Sequence, residues 1–256
     1  MTNASGTEHG PVGAGATAGT RSANVDQKEI ANFDALAARW WDPQGEMQAL
    51  HVINPPRVRY IARCADGLRG KRAVDVGCGG GLLAEALARE GAQVLGVDMA
   101  ADVLAVARAH AQQSGVSVDY RQIAAEPLAA EQPGRYDLVC CLEMLEHVPD
   151  PASVVAACAR LVRPGGDVVF STIHRNPKSF ALMIVGAEYL LNLVPRGTHQ
   201  YEKFIRPSEL EAWARAAGLE LQGMKGLRYN PLLRAATLSD DVDVNYFMHC
   251  RRPQDR

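Results

Sequence analysis

The chain has 256 residues, 47% of them hydrophobic and 22% charged, with a formal net charge of −2. This is material for one α/β domain with a substantial core, and the near-neutral balance excludes a general polyanion binder, nucleic acid included. Six cysteines (Cys64, Cys78, Cys140, Cys141, Cys158, Cys250) form no C-x-x-C pair and no disulfide-framework spacing, which suits a reducing compartment.

Residues 1–24 are rich in Gly, Ala, Ser and Thr. They have too little to bury and are expected to form a disordered tail ahead of a single domain over 25–252. They also lack the apolar core of a signal peptide. From Asp26 the pattern changes. Asp26 followed by Glu29 fits a helix cap, and Ile30, Phe33, Ala37 and Trp40 recur at helical spacing. Trp40-Trp41-Asp42-Pro43 ends that helix. The tryptophans suit core packing, with substrate stacking as the other reading. After Asn54-Pro55-Pro56 a second helix is expected, with Val58, Ile61 and Ala62 inward. Arg57 is either a surface charge or the cation for a ligand carboxylate.

The stretch from Ala73 to Leu83, AVDVGCGGGLL, organises the rest. A short apolar run, the size of a buried strand, breaks into glycines, and a helix-forming run follows. Such a strand–turn–helix lets a ligand approach bare backbone and helix amides. Glycines at 77, 79 and 82 would make a dinucleotide fingerprint, but position 82 is Leu. Instead, D-V-G-C-G-G-G resembles the first motif of the class I S-adenosylmethionine-dependent methyltransferases. A second strand, Ala92–Val97, ends in Asp98, placed to take ribose hydroxyls.

A helix over 101–114 closes at Gly115, and strands are expected over 116–122 and 136–142. Between them, Glu126 is a weak candidate for a polar group near the adenine, or a loop charge. Asp150 with Pro151 starts a helix to about Arg163, and Asp167–Thr172 reads as the fifth strand. Residues 173–206 break the alternation. Phe180–Val194 is strongly apolar, and Arg175, Lys178, Arg196, Lys203 and Arg206 surround it. Such a segment fits a lid, a core helix or a contact with a membrane surface. It is too short to span a bilayer, and no run of about 18 apolar residues exists elsewhere. A helix over 207–217 and two closing strands, Leu219–Tyr229 and Val244–Cys250, complete a Rossmann-like, seven-stranded, mostly parallel sheet flanked by helices.

Glu143, Glu146 and His147 stand at i, i+3 and i+4 after the fourth strand. On one helical face they would suit Mg²⁺, Mn²⁺ or Zn²⁺. A bound cation promotes proton loss from a phenol, whose free pKa near 10 leaves about one molecule in a thousand ionised at pH 7. Without metal, His147 or Glu146 serves as general base.

With these pieces placed, the chain resembles the ubiquinone biosynthesis O-methyltransferases over roughly residues 24–250. The marks are NVDQKEIANF (24–33), RWWDPQGEMQALHVINPPR (39–57), VDVGCGGGLLAE (74–85), EMLEHVPDP (143–151), GGDVVFST (165–172), VGAEYLLNLVPRGTH (185–199) and DVNYF (243–247). The resemblance implies methylation of a polyprenyl-hydroxyphenol (2-polyprenyl-6-hydroxyphenol) and of 3-demethylubiquinol. It implies that Arg57, Gly77, Asp98 and Leu142 contact S-adenosylmethionine, and that Glu143, Glu146 and His147 hold a divalent cation. It further implies a bacterial cytoplasmic enzyme held peripherally at the inner membrane through 178–206, with other enzymes of the pathway as conceivable partners. His174 departs from the Asn expected in relatives, adding a titrating group or keeping a hydrogen bond. Competing readings are an O-methyltransferase of a soluble phenol and a non-catalytic scaffold of a quinone-making complex.

Overall fold

The computed structural model describes residues 24–45, 47–182 and 200–254, together with Met1. The tail expected over 1–24 therefore lies almost wholly outside the described residues. So does the apolar run beyond Leu182, up to residue 199.

Five strands, β1 (Arg72–Val76), β2 (Gln93–Asp98), β3 (Asp119–Gln122), β4 (Tyr136–Leu142) and β5 (Val162–Ile173), run parallel. β6 (Glu220–Asn230), β7 (Ala235–Ser239) and β8 (Asn245–Arg251) finish the sheet antiparallel. The order is β3-β2-β1-β4-β5-β8-β6-β7. The sheet thus has eight strands among the described residues, where seven are expected from the sequence. The extra one is β7. Its five residues, AATLS, are all half-buried or exposed; only Ala236 and Leu238, at alternate positions, pack against the core, too weak a pattern to mark a strand. Pairing with β6, from Gly226–Ser239 to Asn230–Ala235, supplies what the side chains do not.

The central strands are apolar on both sides because helices cover both faces. Val74, Val76, Val139 and Cys141 join one cluster, against Leu128, Val154, Cys158 and Leu210. Those partners come from α5 (Ala125–Glu131), α6 (Pro151–Leu161) and α8 (Pro207–Ala216). Ala73, Leu138 and Cys140, one residue out of phase, join the other, against Ile61, Leu87 and Leu104. These belong to α2 (Gln48–Cys64), α3 (Leu82–Arg89) and α4 (Ala101–Ser114). Burying each large side chain contributes about 1.5–3 kcal/mol, and this double-sided clamp fixes the carboxyl ends of β1, β2 and β4 as a rigid edge. α5 was not anticipated: the sequence there reads as loop.

Two further elements frame that edge. α1 (Gln27–Leu36) starts at Asp26, whose side chain accepts from the Lys28 and Glu29 amides. It tightens into a 3₁₀ turn over Ala37–Arg39 and delivers Trp40 to a small cluster with Ala37, Ala100 and Val103. α2 begins at Gln48 rather than after Pro56, so both prolines lie inside it. Val58 and Ile61 are buried as expected, and Ala62 is half-buried. α7 (Pro177–Ser179), capped by Asn176, opens the segment after β5. Among the described residues no helix is long and apolar enough to cross a membrane.

Candidate active site

The glycine turn is strapped to β2: the Gly77 and Cys78 amides donate to the Val97 carbonyl at 2.8 and 3.0 Å. Gly77 and Gly79 sit at φ 74° and 51°, where a side chain is strained. Space forbids one too, since a Cβ on Gly77 would stand 2.5 Å from Met144 and one on Gly79 2.4 Å from the Trp40 ring. Asp98 ends β2 and reaches back, its Oδ2 accepting from the Gly79 amide and its Oδ1 from the Ala100 amide, each at 2.9 Å. Burial raises its pKa, and these amides oppose the rise. Each oxygen keeps a lone pair for a hydroxyl donor.

Arg57 is 6% exposed. Its Nη2 lies 3.3 Å from Glu143 Oε1, yet neither Nε nor Nη2 has a directed hydrogen bond. Burial lowers its pKa, while Glu143, Asp75 and Glu146 hold the charge. Asp75, on β1, has an unpartnered Oδ2. Burial first, and the Asp98 charge second, push it up to about 7. A buried cation and a buried carboxyl with open valences call for a ligand carrying both charges. An amino-acid end such as that of S-adenosylmethionine satisfies both. Leu142 closes the floor at the end of β4.

The opposite wall comes from the segment after β4. Glu143 sits at φ 51°, turned out of the strand. Its carboxylate accepts from Ser171 Oγ at 2.5 Å and from Asn245 Nδ2 at 2.9 and 3.0 Å. Glu146 is buried and accepts from Thr172 Oγ1 at 2.8 Å. Burial, then the Glu143 charge, raises it to about 7. His147 Nδ1 lies 3.1 Å from Glu29 Oε2, and its ring meets the edge of Phe33 at 5.0 Å between centroids. Glu29 also accepts from Lys203 Nζ at 2.8 Å. The His147 contact first, and Lys203 as well, depress Glu29 to about 2 against the effect of burial. Burial pulls His147 down, but the hydrogen bond to Glu29 and the charges of Glu146 and Glu29 outweigh it, leaving the pKa raised.

The expected metal centre is not assembled. A helical face needs continuous helix from 143 to 147, whereas only Leu145–His147 forms a single 3₁₀ turn and Glu143 lies outside it. The three side chains turn to three sets of partners: Arg57 with Ser171 and Asn245, Thr172, and Glu29. Among the described residues no three His, Cys, Asp or Glu side chains converge on a metal position.

Sequence reasoning missed Glu29 and Lys203. Glu29 fits a capping box, yet its carboxylate turns to His147, 118 residues away, a contact no local pattern encodes. Glu126 accepts from Asn24 Nδ2 and Ser153 Oγ at 2.9 and 2.8 Å while lining the cavity. His174 lies off the cavity, its Nδ1 3.1 Å from the Val242 carbonyl, so it keeps a hydrogen bond in the β8 approach. The cavity holds about 830 Å³, and its lining includes the glycine turn, Asp98, Arg57, Glu146, His147 and Leu182.

The methyltransferase-domain family matches residues 36–222. A ubiquinone biosynthesis O-methyltransferase of Alkalilimnicola ehrlichii is 61% identical over 90% of this chain and 93% of the relative. The protein of that name from Pseudomonas aeruginosa is 60% identical over 90% of this chain and 98% of its own length. The chain belongs to the ubiquinone biosynthesis O-methyltransferases. It is an S-adenosylmethionine-dependent methyltransferase. Among solved structures, a magnesium protoporphyrin IX methyltransferase of Synechocystis with bound SAM superposes with a TM-score of 0.61, at 17% identity, over 91% of this chain and 100% of the other. That likeness establishes the class I methyltransferase fold.

Proposed function

We propose that the enzyme methylates a catechol-type oxygen on 2-polyprenyl-6-hydroxyphenol and on 3-demethylubiquinol, working at the surface of the bacterial inner membrane. The observation that carries this reading is the composite cavity. Its volume of about 830 Å³ is toward the top of the roughly 300–1,000 Å³ usual for small-molecule sites, room for a cofactor and an apolar phenol together. Arg57 and Asp75 take the charged end of the cofactor, Gly77 its close approach, Asp98 the ribose and Leu142 the floor.

When bound, S-adenosylmethionine supplies an electrophilic methyl group on a sulfonium sulfur. The chain has to position the phenol oxygen in line with it and remove a proton. His147 does the second. With Nδ1–H held by Glu29, Nε2 keeps its lone pair and accepts the phenolic proton. The cofactor, when bound, would then supply its methyl carbon to that oxygen, the sulfur keeping the carbon–sulfur electron pair as leaving group. Glu146, poised near 7, is the second acceptor for that proton. Glu143 neutralises Arg57 and orders Asn245 rather than touching the reacting oxygen. Leu182, half exposed and lining the cavity, begins the 178–206 segment assigned to the membrane surface. A polyprenyl tail resides in lipid, so the cavity must open there.

The test is methyl transfer to a short-chain prenylated catechol, beside a soluble catechol, with divalent metal stripped and restored. Transfer to the prenylated acceptor that persists in chelator is the expected result. Loss in chelator with recovery on Mg²⁺ would replace the His147 base with a cation at Glu143 and Glu146. No transfer to any catechol would remove the substrate assignment.

A further inference from the structure

Two indoles adjoin the glycine turn, and they are treated differently. Trp41 is satisfied: its Nε1 donates to the Gly80 carbonyl at 2.9 Å, and its ring stacks on His110. Trp40 is 6% exposed and lines the cavity, yet its Nε1 has no hydrogen-bond partner among the described residues. A buried N–H left without an acceptor is destabilising, and its persistence calls for an acceptor that arrives with a ligand. The ring is not loosely held. Its own carbonyl lies 3.0 Å from His51 Nε2, and the ring packs with Ala37, Ala100 and Val103.

The orientation narrows the acceptor. Cβ atoms built on the turn would meet Trp40 carbons Cζ2 and Cη2 at Gly79, but Cδ1, Cγ and Nε1 at Gly80. The Nε1 edge thus lies over Gly80, past the residue whose amide Asp98 holds. The same cavity is lined by Arg57 and Asp75, whose own unpartnered atoms await the amino-acid end of the cofactor. A carboxylate offers about four acceptor positions, more than one guanidinium fills.

We propose that the Trp40 indole N–H donates to the carboxylate of the amino-acid end of S-adenosylmethionine, sharing it with Arg57. This deepens the cofactor reading and rests on it. The assignment makes Trp40 a binding residue rather than core packing alone, and gives α1 and its 3₁₀ extension a direct part in holding the cofactor.

Isothermal titration of the full chain with S-adenosylhomocysteine and with 5′-methylthioadenosine tests it. The second ligand keeps the nucleoside and thioether but lacks the amino-acid end. Trp40→Phe should weaken S-adenosylhomocysteine by about ten- to hundredfold, the range of a hydrogen bond to a charged group, and leave 5′-methylthioadenosine within about twofold. Unchanged affinity for S-adenosylhomocysteine would overturn the proposal, and so would equal weakening of both ligands, which marks a packing role. A second measurement needs no change at Trp40. The indole N–H resonances of ¹⁵N-labelled protein, assigned through Trp41→Phe and Trp213→Phe, should show Trp40 moving downfield with S-adenosylhomocysteine and not with 5′-methylthioadenosine. A Trp40 resonance indifferent to both ligands would overturn it as well. Failure of the wild type to bind S-adenosylhomocysteine at all would instead overturn the cofactor assignment.

Discussion

Replacing Glu29 tests whether α1 contributes to catalysis through His147. The two side chains are mostly covered, at 14% and 17% exposure, and the 3.1 Å contact joins a carboxyl depressed to about 2 to an imidazole raised above its usual range. A hydrogen bond between such groups is worth about 1.5–3 kcal/mol. In the proposed base role His147 takes the phenolic proton and becomes imidazolium, which strengthens this bond, so its loss should fall on the transition state, by about 10- to 150-fold in kcat. Glu29→Gln keeps the volume and an acceptor for Nδ1–H, and should lie near tenfold. Glu29→Ala removes the acceptor and should approach a hundredfold. The pH profile separates this from a folding effect. His147 is raised in part by Glu29, and a base works only when neutral. The wild-type rate therefore falls as pH drops through the raised His147 pKa, and removing Glu29 lowers that pKa and moves the acid limb to lower pH. Single-turnover methyl transfer to a short-chain prenylated catechol across pH 5–9, with S-adenosylhomocysteine affinity as the control, reads both effects. An unchanged kcat with an unmoved acid limb in both variants would refute the dyad and leave Glu29 as a structural anchor for Lys203.

Gly79→Ala places a methyl at φ 51° and 2.4 Å from the Trp40 ring. It should weaken S-adenosylhomocysteine by more than about tenfold in titration, from roughly 1–2 kcal/mol of backbone strain plus the displaced indole. Leu182→Asp puts a charge on a half-exposed side chain that lines the cavity. Co-sedimentation with vesicles of anionic lipid should fall several-fold while cofactor affinity holds, by the cost of bringing an acidic group to a lipid surface. Away from the site, His249 Nε2 lies 2.9 Å from Asp167 Oδ1 across the β5–β8 pair. Burial lowers its pKa, but Asp167 and Cys64 prevail and raise it to about 9. That stabilisation is complete below the unfolded value near 6.5 and is lost as pH rises through about 9. Urea unfolding at pH 6 and pH 10 should therefore show wild type losing about 1 kcal/mol more than His249→Gln, after discounting for solvent and for Arg251 on the same carboxylate.

The features legible in the sequence are those whose cause is local. Ala73–Val76 had to be a buried strand because Ala73, Val74 and Val76 put apolar side chains on both faces with only Asp75 among them, and the break at Gly77 needed φ values that only glycine adopts cheaply. Gly115, at φ 66°, ended α4 for the same reason. Asp98 followed from distance alone, since one βα unit later the chain returns to the same sheet edge. β7 failed this test: it is an edge strand paired on one side to β6 while its side chains are half wet, so composition carried no sign of it. α2 failed in the opposite direction. Two prolines argue for a helix start, yet here they sit in its interior, because the burial of Val58 and Ile61 on one side and the Asn54 bond to the Leu82 carbonyl on the other hold the helix through them.

The metal expectation shows where spacing stops being evidence. Positions i, i+3 and i+4 share a face only if every residue between them is helical. Glu143 is the first residue past β4, and the chain turns away there at φ 51° to bring Leu145 into the core. Burying Leu145 thus decides the turn, and the turn decides where three functional side chains go. What the sequence could not contain is the long-range partner of His147, Glu29. Glu29 lies on a helix that would be a marginal structure alone, with no buried residue in it. It becomes ordered by packing Ile30 and Phe33 near Trp40 and by the contacts of Glu29 itself. The helix is therefore held by the site it completes. Any change that frees α1 should loosen the grip on the cofactor, through Trp40, and the setting of the base, through Glu29, at the same time. Two variants that each disturb one of these contacts should then show coupling in a double-mutant cycle. Additive losses for Trp40→Phe and Glu29→Gln would mean that α1 is a rigid part of the fold.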